Sequence, residues 1–198
     1  MQQVIISVVY HTGQGHTKQI AEILAENLQS EFSRVHLINV DEVKEQFDLL
    51  HESDTIVFGC PTYFGDISAG FKQFMELTGG FWYSQVWKDK LAAAFTVSSS
   101  RCGDKLNTLI SLALFAAQHS MQWISQGIMP RYCSNEQTEG QNRHGSYLGL
   151  MIQSDNAREL NPPHPGDILT TELFAKRILD VTLKFKNIKI YNYEQSTN

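Results

Sequence analysis

Apolar residues follow two alternating patterns along the chain, and their succession predicts an α/β fold. Residues 4–10 (VIISVVY) form a nearly continuous β-branched run, which is typical of a strand buried on both faces. After a short loop, apolar side chains recur at helical spacing, at Ile20, Ile23, Leu24 and Leu28. A buried strand that leads into an amphipathic helix is the start of a βαβ unit.

The same succession continues along the rest of the chain. Further strands are predicted at residues 35–40, 55–59, 91–97 and 122–128, with an additional strand at 147–153. Helical segments are predicted at 41–53, at 71–78 closed by Gly79 and Gly80, at 106–114 and at 167–184. The polar stretch 131–146 is predicted to be a long loop. Because no repeat or domain boundary is visible, residues 1–198 are predicted to form a single domain.

Five strands alternating with helices predict a doubly wound, five-stranded parallel sheet with helices on both faces. One of the few allowed topologies has the strand order 2-1-3-4-5, and its ligand site lies beside the carboxyl ends of strands 1 and 3. In this sequence those ends are the loops that begin at His11 and at Pro61. These two loops are also the most unusual segments of the chain, so they are the first candidates for a binding site.

The first loop has the features of an anion site. It contains His11, Thr12, Gly13, Gln14, Gly15, His16 and Thr17, immediately before a helix. N–H groups in a glycine-containing turn at a helix N-terminus bind phosphate well, and threonine hydroxyls can donate to its oxygens. The loop matches neither the dinucleotide-binding nor the Walker pattern. A plain strand-to-helix turn is the alternative; no metal site is predicted, because no third ligand is spaced to join the two histidines.

The second loop combines a rigid residue with aromatic side chains. Its sequence, GCPTYFGDIS at 59–68, places Pro61 in a predicted turn, with Tyr63 and Phe64 close behind. A flat heteroaromatic ring needs an aromatic or apolar wall, which these two side chains can supply. A loop closed by aromatic residues that pack on the core is the alternative. Cys60 is predicted to be a small buried hydrophobe rather than a redox-active thiol.

Charge and cysteine content narrow the class of protein. A formal net charge of −5, without a basic run, argues against nucleic-acid binding. The N-terminal apolar run is far shorter than the roughly 20 residues of a membrane span, so no membrane insertion is predicted. The three cysteines are widely spaced, which is typical of proteins in a reducing compartment. We therefore expect a cytoplasmic protein.

The segment 59–82 (GCPTYFGDISAGFKQFMELTGGFW) resembles the flavin-binding stretch of the WrbA-type NAD(P)H:quinone oxidoreductases. In that family a PTRFGNM-like loop is followed by a helix and by Thr-Gly-Gly-x-Trp. The first loop, YHTGQGHT at 10–17, is similar to the phosphate loop of flavodoxin-like reductases such as the NADPH-dependent FMN reductases. Residues 117–121 (AQHSM) resemble the family's Ala-His-His-Gly-Met, and the ending around 165–167 is also similar.

The resemblance implies a flavodoxin-like enzyme that binds flavin mononucleotide (FMN) non-covalently. It would take electrons from NADPH or NADH and reduce quinones or similar small acceptors by ping-pong hydride transfer. By position, residues 11–17 would hold the FMN phosphate. The flavin ring would be bordered by Pro61, Thr62, Tyr63, Phe64 and Gly65 and by a third loop of Ser98, Ser99, Ser100 and Arg101. Trp82 and His119 would border the pocket shared by nicotinamide and quinone, with His119 as the catalytic residue.

Departures from the family pattern leave a second class of function open. The family's glycine-rich third loop is SSSRCGD here, Tyr63 replaces the family's arginine, and the insertion after the second strand is absent. The main alternative is a flavodoxin-type electron carrier that docks on protein partners. Carriers tend to have an acidic face around the flavin, whereas the predicted pocket segments here are aromatic and nearly neutral. A scaffold that has lost the chemistry is a third alternative.

Individual residues also have two interpretations. His119 could donate a hydrogen bond to a quinone oxygen or make a backbone contact at a helix end. Arg101 could steer a nucleotide phosphate or be a solvated surface residue. An aromatic cluster at 81–87 could wall the pocket, line a subunit interface or cap the core. Pocket or interface is favoured, because the cluster follows a Gly-Gly turn and is predicted to lie off a regular helix face. A homo-oligomer, either dimer or tetramer, is expected by analogy with pockets completed by a partner's aromatic residues.

Overall fold

The computed structural model describes residues 3–131, 140–155 and 160–196, with side chains in the last segment as far as residue 186. Within these ranges the strands are β1 (Val4–Tyr10), β2 (Ser33–Asn39), β3 (Thr55–Tyr63), β4 (Asp66–Ile67), β5 (Leu91–Ser98), β6 (Gln122–Trp123) and β7 (Leu150–Gln153). The helices are α1 (His16–Leu28), α2 (Phe47–Glu52), α3 (Ala69–Leu77), α4 (Gly79–Tyr83), α5 (Lys105–Gln118) and α6 (Pro165–Ser196), with a 3-10 helix at Val40–Glu45. The alternation of strands and helices confirms the predicted α/β class.

The sheet has the predicted strand order. β1 lies between β2 and β3, and β5 lies on the other side of β3, all in parallel. Successive side chains of a strand point to opposite faces, and here each face meets a layer of helices. Ile6 and Val8 join a core with α1 and α6, whereas Val9 and Phe58 join a core with α3 and α5. This two-sided burial explains the continuous β-branched run at 4–10.

The edge position beside β5 is occupied by two short strands. β6 pairs with the start of β5, and β7 pairs with its end. The prediction of a continuous fifth strand at 122–128 is wrong, because β6 ends at Trp123 and the chain returns to the sheet only at Leu150. The additional strand predicted at 147–153 is therefore the second half of the fifth strand. Of the polar loop predicted at 131–146, residues 132–139, including Cys133, lie outside the described residues.

β3 continues past the residue where it was predicted to end. Its pairing with β5 runs through Cys60 and Pro61, so Pro61 lies in the strand and the turn predicted there is wrong. A proline usually ends a ladder because it has no N–H, which is why the sequence favoured an earlier end. The chain reverses instead at Phe64 and Gly65, with φ of 51° and 78°, and returns as β4. Two consecutive positive φ values are typical of a tight two-residue hairpin turn.

Gly79 and Gly80 were predicted to close a helix. In the structure they begin one. α3 ends at Leu77 and α4 starts at Gly79, with Thr78 between them. The Thr78 hydroxyl donates to the carbonyl of Met75 at 2.7 Å, which ends α3. The predicted aromatic cluster is accordingly divided between elements. Trp82 lies on a helix, contrary to the prediction, and is half-exposed, whereas Trp87 is fully buried in the core.

α5 buries a different face from the one that its apolar pattern predicted. The buried residues are Lys105, Thr108, Leu109, Leu112, Phe115 and Ala116. Leu106, Ile110 and Leu114, which helped to predict the helix, are 53%, 42% and 61% exposed. Residues four apart lie on one helix face, so these three form an exposed apolar stripe, called here the α5 stripe.

Among the described residues, no helix is both long and apolar enough to cross a bilayer.

Candidate functional site

Three loops at the carboxyl edge of the sheet enclose a cleft of about 320 Å³, called here the loop cleft. The loops follow β1, β3 and β5, and Ser154 and Asp155 after β7 complete the wall. This is the position where the strand order predicts a ligand. The predicted site residues that line it are Gly13, Gln14, His16, Thr17, Pro61, Thr62, Tyr63, Phe64, Gly65, Ser98, Ser99 and Ser100. The structure thus brings together most of the residues that the resemblance assigns to a cofactor.

The N-terminus of α1 presents free hydrogen-bond donors to the loop cleft. Gly15 is the N-cap residue, with a φ of 98°, and no side chain caps the helix. The first helical bond runs from the N–H of Gln19 to the carbonyl of Gly15 at 3.0 Å, so the three preceding N–H groups have no acceptor within the helix. These groups form the positive end of the helix dipole. An anion bound there would satisfy them.

The two histidines of the first loop have different surroundings. The ring of His11 faces α3, where its Nδ1 shares a 2.8 Å hydrogen bond with the Ser68 hydroxyl. Burial lowers the pKa of His11, which favours the neutral ring. His16 instead lines the loop cleft, and its buried Nε2 has no hydrogen-bond partner among the described residues. The nearest charged group is the Asp155 carboxylate, 3.5 Å away.

A network of buried hydroxyls fixes the end of β3. The Thr62 hydroxyl shares hydrogen bonds with Thr96 at 2.7 Å and Thr108 at 2.8 Å, and Thr96 also donates to the carbonyl of Cys60 at 2.8 Å. The Thr62 side chain is therefore occupied within the protein and holds the backbone of the second loop in place. The Cys60 thiol is fully buried, and this burial raises its pKa to about 12. The prediction that Cys60 is a buried hydrophobe is confirmed.

The hairpin of the second loop is fastened to α5. Asn107 donates to the carbonyl of Gly65 at 2.9 Å, and Ser111 donates to the Asp66 carboxylate at 2.8 Å. Tyr63 lies partly against the first loop, since a Cβ at Gly13 would overlap its hydroxyl. Phe64, at the tip, is fully exposed. Tyr63 and Phe64 both line the loop cleft, with Tyr63 against the first loop and Phe64 at the exposed tip of the hairpin.

A buried lysine that was not among the predicted site residues holds the third loop in place. Lys105 begins α5 and is fully buried. Its ammonium donates to the Ser98 hydroxyl at 3.0 Å and to the carbonyls of Ser100 and Arg101 at 2.6 and 2.9 Å. All three ammonium hydrogens are therefore used. The loop that lacks the family's glycines is stabilised by this contact.

A second cavity of about 430 Å³, called here the basic cavity, adjoins the loop cleft. The two share His16, Val97, Ser99, Ser154 and Asp155. Its walls also include Arg101, Arg143, Pro162, Pro163 and His164. Arg101 was predicted to border the flavin; it lines this neighbouring cavity and does not line the loop cleft.

Arg143 is oriented by the buried carboxylate of Asp167. It donates to both carboxylate oxygens, at 2.7 and 2.9 Å, and the backbone N–H of Gln153 donates at 3.1 Å. Burial alone raises the pKa of Asp167, but the hydrogen bonds from His144 and Arg143 more than offset it and lower the pKa to about 2. This network joins the insertion after β6 to β7 and α6. It fixes one wall of the basic cavity.

Trp82 and His119 meet in a separate cavity of about 720 Å³. Among the described residues, it shares no lining residue with the loop cleft. His119 is buried against Trp87, with ring centroids 4.6 Å apart, and its Nε2 shares a 3.1 Å hydrogen bond with Thr78. Burial lowers the pKa of His119 to about 4, so the ring is neutral at pH 7. Within one chain, these two residues do not reach the loop cleft.

Sequence reasoning missed Lys105, Arg143 and Asp167. A signal for Lys105 exists in the sequence, because it shares a face with Leu109, Leu112 and Ala116 at spacings of four, seven and eleven, which is the spacing of a buried helix face. An acidic residue in the first turn of a helix is common, so Asp167 gave no distinct signal. Arg143 lies in a polar stretch without periodicity, and only the folded chain shows its partner.

Comparison with known proteins places the chain in a family. The flavodoxin domain family matches residues 7–127. The chain is 36% identical over 172 residues to flavodoxin FldP of Pseudomonas aeruginosa (strain UCBPP-PA14), covering 86% of this chain and 92% of that protein. It is 27% identical over 202 residues to an NAD(P)H dehydrogenase (quinone) of Archaeoglobus fulgidus, covering 90% and 97%. It is also similar to the crystal structure of a WrbA-like flavodoxin from Agrobacterium tumefaciens, with a TM-score of 0.73 and 32% identity over 92% of this chain and 99% of that chain.

The sheet order and the three loops define a flavodoxin-like α/β protein. The chain belongs to the flavodoxin domain family, and its resemblance to the WrbA-type proteins is confirmed. This family implies FMN as the cofactor, and the loop cleft fits that group. The uncapped N-terminus of α1 offers donors for a phosphate, as does the Nε2 of His16, which has the Asp155 carboxylate 3.5 Å away, and Tyr63 offers a wall for a planar ring.

Proposed function

We propose that this chain is a single-domain, cytoplasmic, FMN-dependent oxidoreductase that passes electrons from NAD(P)H to quinones or similar small acceptors. The observation that supports an enzyme is the basic cavity, which adjoins the loop cleft and contains Arg101 and Arg143. A reductase needs room for a small-molecule donor beside the flavin, whereas a protein-to-protein carrier does not. The Arg101 guanidinium suits a phosphate of a nicotinamide dinucleotide, whereas that of Arg143 is already paired with Asp167.

The residues of the loop cleft would divide the work of holding FMN. The free N–H groups of α1 and the side chain of His16 would bind the phosphate, and Tyr63 would lie against the ring. The loop at 98–101 would border the ring's other edge. When bound, FMN supplies the redox chemistry, accepting a hydride from NAD(P)H and passing two electrons to the acceptor. Arg101 would hold a donor phosphate in the basic cavity, which places the nicotinamide near the flavin.

Trp82 and His119 would act across a subunit boundary in this proposal. Their cavity is separate from the loop cleft of the same chain, but it is bordered by Leu114 of the exposed α5 stripe. A second copy packed on the α5 stripe would bring its own loop cleft towards this cavity, which supports a homo-oligomer, either dimer or tetramer. With a pKa of about 4, His119 would be neutral at pH 7. Because the Thr78 hydroxyl donates to Met75, the ring's single N–H, on Nε2, donates to Thr78, so His119 would border the acceptor and offer its Nδ1 as a hydrogen-bond acceptor rather than supply a proton.

A flavodoxin-type electron carrier is the second candidate function. A specific observation favours it, because the relative that is 36% identical is named a flavodoxin. The fully exposed Phe64 beside the loop cleft also suits contact with a protein partner. The two candidates differ in one property, which is whether a nicotinamide donor reduces the bound flavin directly.

The test is an anaerobic reduction of the FMN-loaded protein. Purified protein is saturated with FMN and mixed with NADPH or, separately, with NADH, while the flavin absorbance is followed. We expect fast bleaching that is reversed when a benzoquinone is added, and the faster donor is the preferred one. Flavin that binds tightly but stays oxidised with both donors would contradict the reductase and favour the carrier. Absence of FMN binding would overturn both candidates.

A further inference from the structure

The ammonium of Lys105 is a buried charge with a defined position beneath the third loop. It donates to Ser98, Ser100 and Arg101 at distances of 2.6–3.0 Å, and Ser98 and Ser100 themselves line the loop cleft. Lys105 is thus one hydrogen bond away from the residues that would touch the flavin. Among the described residues, no carboxylate lies within ion-pair distance of this ammonium.

Burying a lysine in this way has an energetic cost. An ammonium removed from water and paired only with neutral oxygens is destabilising unless something else compensates for it. Burial lowers the pKa of Lys105 to about 8, so most of the charge is nevertheless present at pH 7. A neutral residue of similar length would fill the same space without this cost. The charge therefore calls for a functional reason.

The hydrogen bonds of Lys105 also decide which way the third loop faces. The carbonyls of Ser100 and Arg101 point towards the ammonium. In a trans peptide the C=O and the following N–H point in opposite directions, and no cis peptide is present among the described residues. The N–H groups of Arg101 and Cys102 therefore point away from Lys105. Lys105 therefore fixes the orientation of these two peptides, although Arg101 and Cys102 themselves do not line the loop cleft.

The turn that follows lets the lysine reach under its own loop. Gly103 and Asp104 both have positive φ, of 55° and 54°. A Cβ at Gly103 would lie 2.6 Å from the Ser98 hydroxyl, which shows how closely the loop closes on itself. Two left-handed residues in succession cost conformational energy at Asp104. The hydrogen bonds of Lys105 offset this cost and hold the loop in one conformation.

We propose that Lys105 is a positioning residue for the bound flavin, which holds Ser98 and Ser100 of the third loop in place beside it and raises its reduction potential. This inference rests on the proposed function, since it requires FMN in the loop cleft. A flavin gains negative charge on two-electron reduction near neutral pH, and a fixed positive charge close by stabilises the reduced form more than the oxidised one. The acidic surroundings of a low-potential carrier would act in the opposite direction. Lys105 therefore adapts the site to accept electrons from a nicotinamide donor.

The test is the midpoint potential of bound FMN in neutral variants of Lys105. K105M removes the charge and the donors, and K105Q removes the charge but keeps a donor for the carbonyls. We expect both to bind reduced FMN at least tenfold more weakly relative to oxidised FMN, which lowers the potential by about 30 mV or more. K105R retains the charge and should keep the potential within about 10 mV of the wild type. Potentials are measured by anaerobic titration against reference dyes.

Lys90 provides a matched control. Its ammonium is also held by backbone carbonyls, those of His51 and Ser53 at 2.7 and 2.6 Å, but it precedes β5 and so lies roughly 25 Å from the carboxyl end. K90M should leave the potential unchanged. The inference would be overturned if K105M, K105Q and the wild type had equal potentials. A fall in K105R as large as the fall in the neutral variants would overturn it too.

The outcomes separate this inference from the proposed function. A wild-type chain that binds no FMN contradicts the proposed function before any variant is compared. A wild type that binds FMN while both neutral variants fold, by circular dichroism, but bind neither redox form would overturn the inference, because Lys105 would then only maintain the site. If K105M fails to fold, the comparison of K105Q with K105R decides the result.

Discussion

Arg143 and the backbone of Gln153 both donate to the buried carboxylate of Asp167, which joins the insertion, β7 and α6. In D167N the arginine would remain in place without its counter-charge. Breaking such a buried pair leaves an uncompensated charge, so we expect the free energy of unfolding to fall by about 3–5 kcal/mol. Urea unfolding at pH 7 measures this loss.

The control is the pair of Asp54 and Lys186, 3.0 Å apart, whose side chains are 29% and 28% exposed. Because water already solvates both groups, D54N should cost only about 1 kcal/mol.

The pH dependence of the stability gives a second check. The pKa of Asp167 falls from 3.8 to about 2 on folding, so its stabilisation is complete above about pH 4 and is lost as the pH falls to about 2. The difference in unfolding free energy between the wild type and D167N should therefore shrink in acid by about 2 kcal/mol. A difference that is constant with pH would contradict this role of Asp167.

Single residues were predictable where their role follows from backbone geometry. The first loop was found because glycines and hydroxyls before a helix have one common use, and Gly13 to Thr17 do border the loop cleft or cap its helix. His11 was assigned to the same site, but its ring turns towards Ser68, and only side-chain packing decides that direction. Lys105 was missed because a lysine at a helix start is normally solvated.

At the scale of the element, the N-terminus of α1 depends on a glycine. Gly15 has a φ of 98°, and an added Cβ would lie 2.8 Å from the side chain of Leu160. A left-handed conformation costs other residues about 1–2 kcal/mol, so we expect G15A to lose about that much stability. It should also bind FMN more weakly, because the free N–H groups of the first helical turn would be displaced. Urea unfolding and fluorescence titration with FMN measure the two effects.

A second glycine provides the matched control. Gly80 lies in α4, and a Cβ there would meet nothing within 4 Å. Alanine is favoured over glycine in a helix by about 1 kcal/mol, so G80A should be neutral or slightly stabilising and should leave FMN binding unchanged. If G15A matched G80A in both measurements, the geometry of the first loop would not be what determines phosphate binding.

Elements were predictable in proportion to their length and regularity. β1, β3 and β5 are central strands of seven to nine residues, and burial on both faces leaves a continuous apolar run in each. The fifth position is filled by β6, of two residues, and β7, of four, on either side of an insertion. Neither strand is long enough to show a regular alternation of buried and exposed residues. The alternation pattern therefore gave the right strand order but one continuous strand where the protein has two.

At the scale of the whole molecule, the exposed apolar surface of α5 is the surface through which we propose that the chain assembles. The α5 stripe of Leu106, Ile110 and Leu114 lies beside the cavity of Trp82 and His119. Contiguous exposed apolar residues of this kind are typical of interaction surfaces. A second copy is the occupant that would also complete the proposed acceptor site, because it would supply a loop cleft to the separate cavity.

Substitution of Leu114 tests this assembly without disturbing the fold. Leu114 is exposed and glutamate is a good helix former, so L114E should leave the stability of the monomer within about 0.5 kcal/mol. A buried charge at an interface is strongly unfavourable, so an oligomer formed through the α5 stripe should dissociate. We expect wild type to be a dimer or tetramer by light scattering, L114E to be monomeric, and M129E, which alters a similarly exposed residue outside the stripe, to assemble as the wild type does. If L114E kept the oligomer, the interface would lie elsewhere.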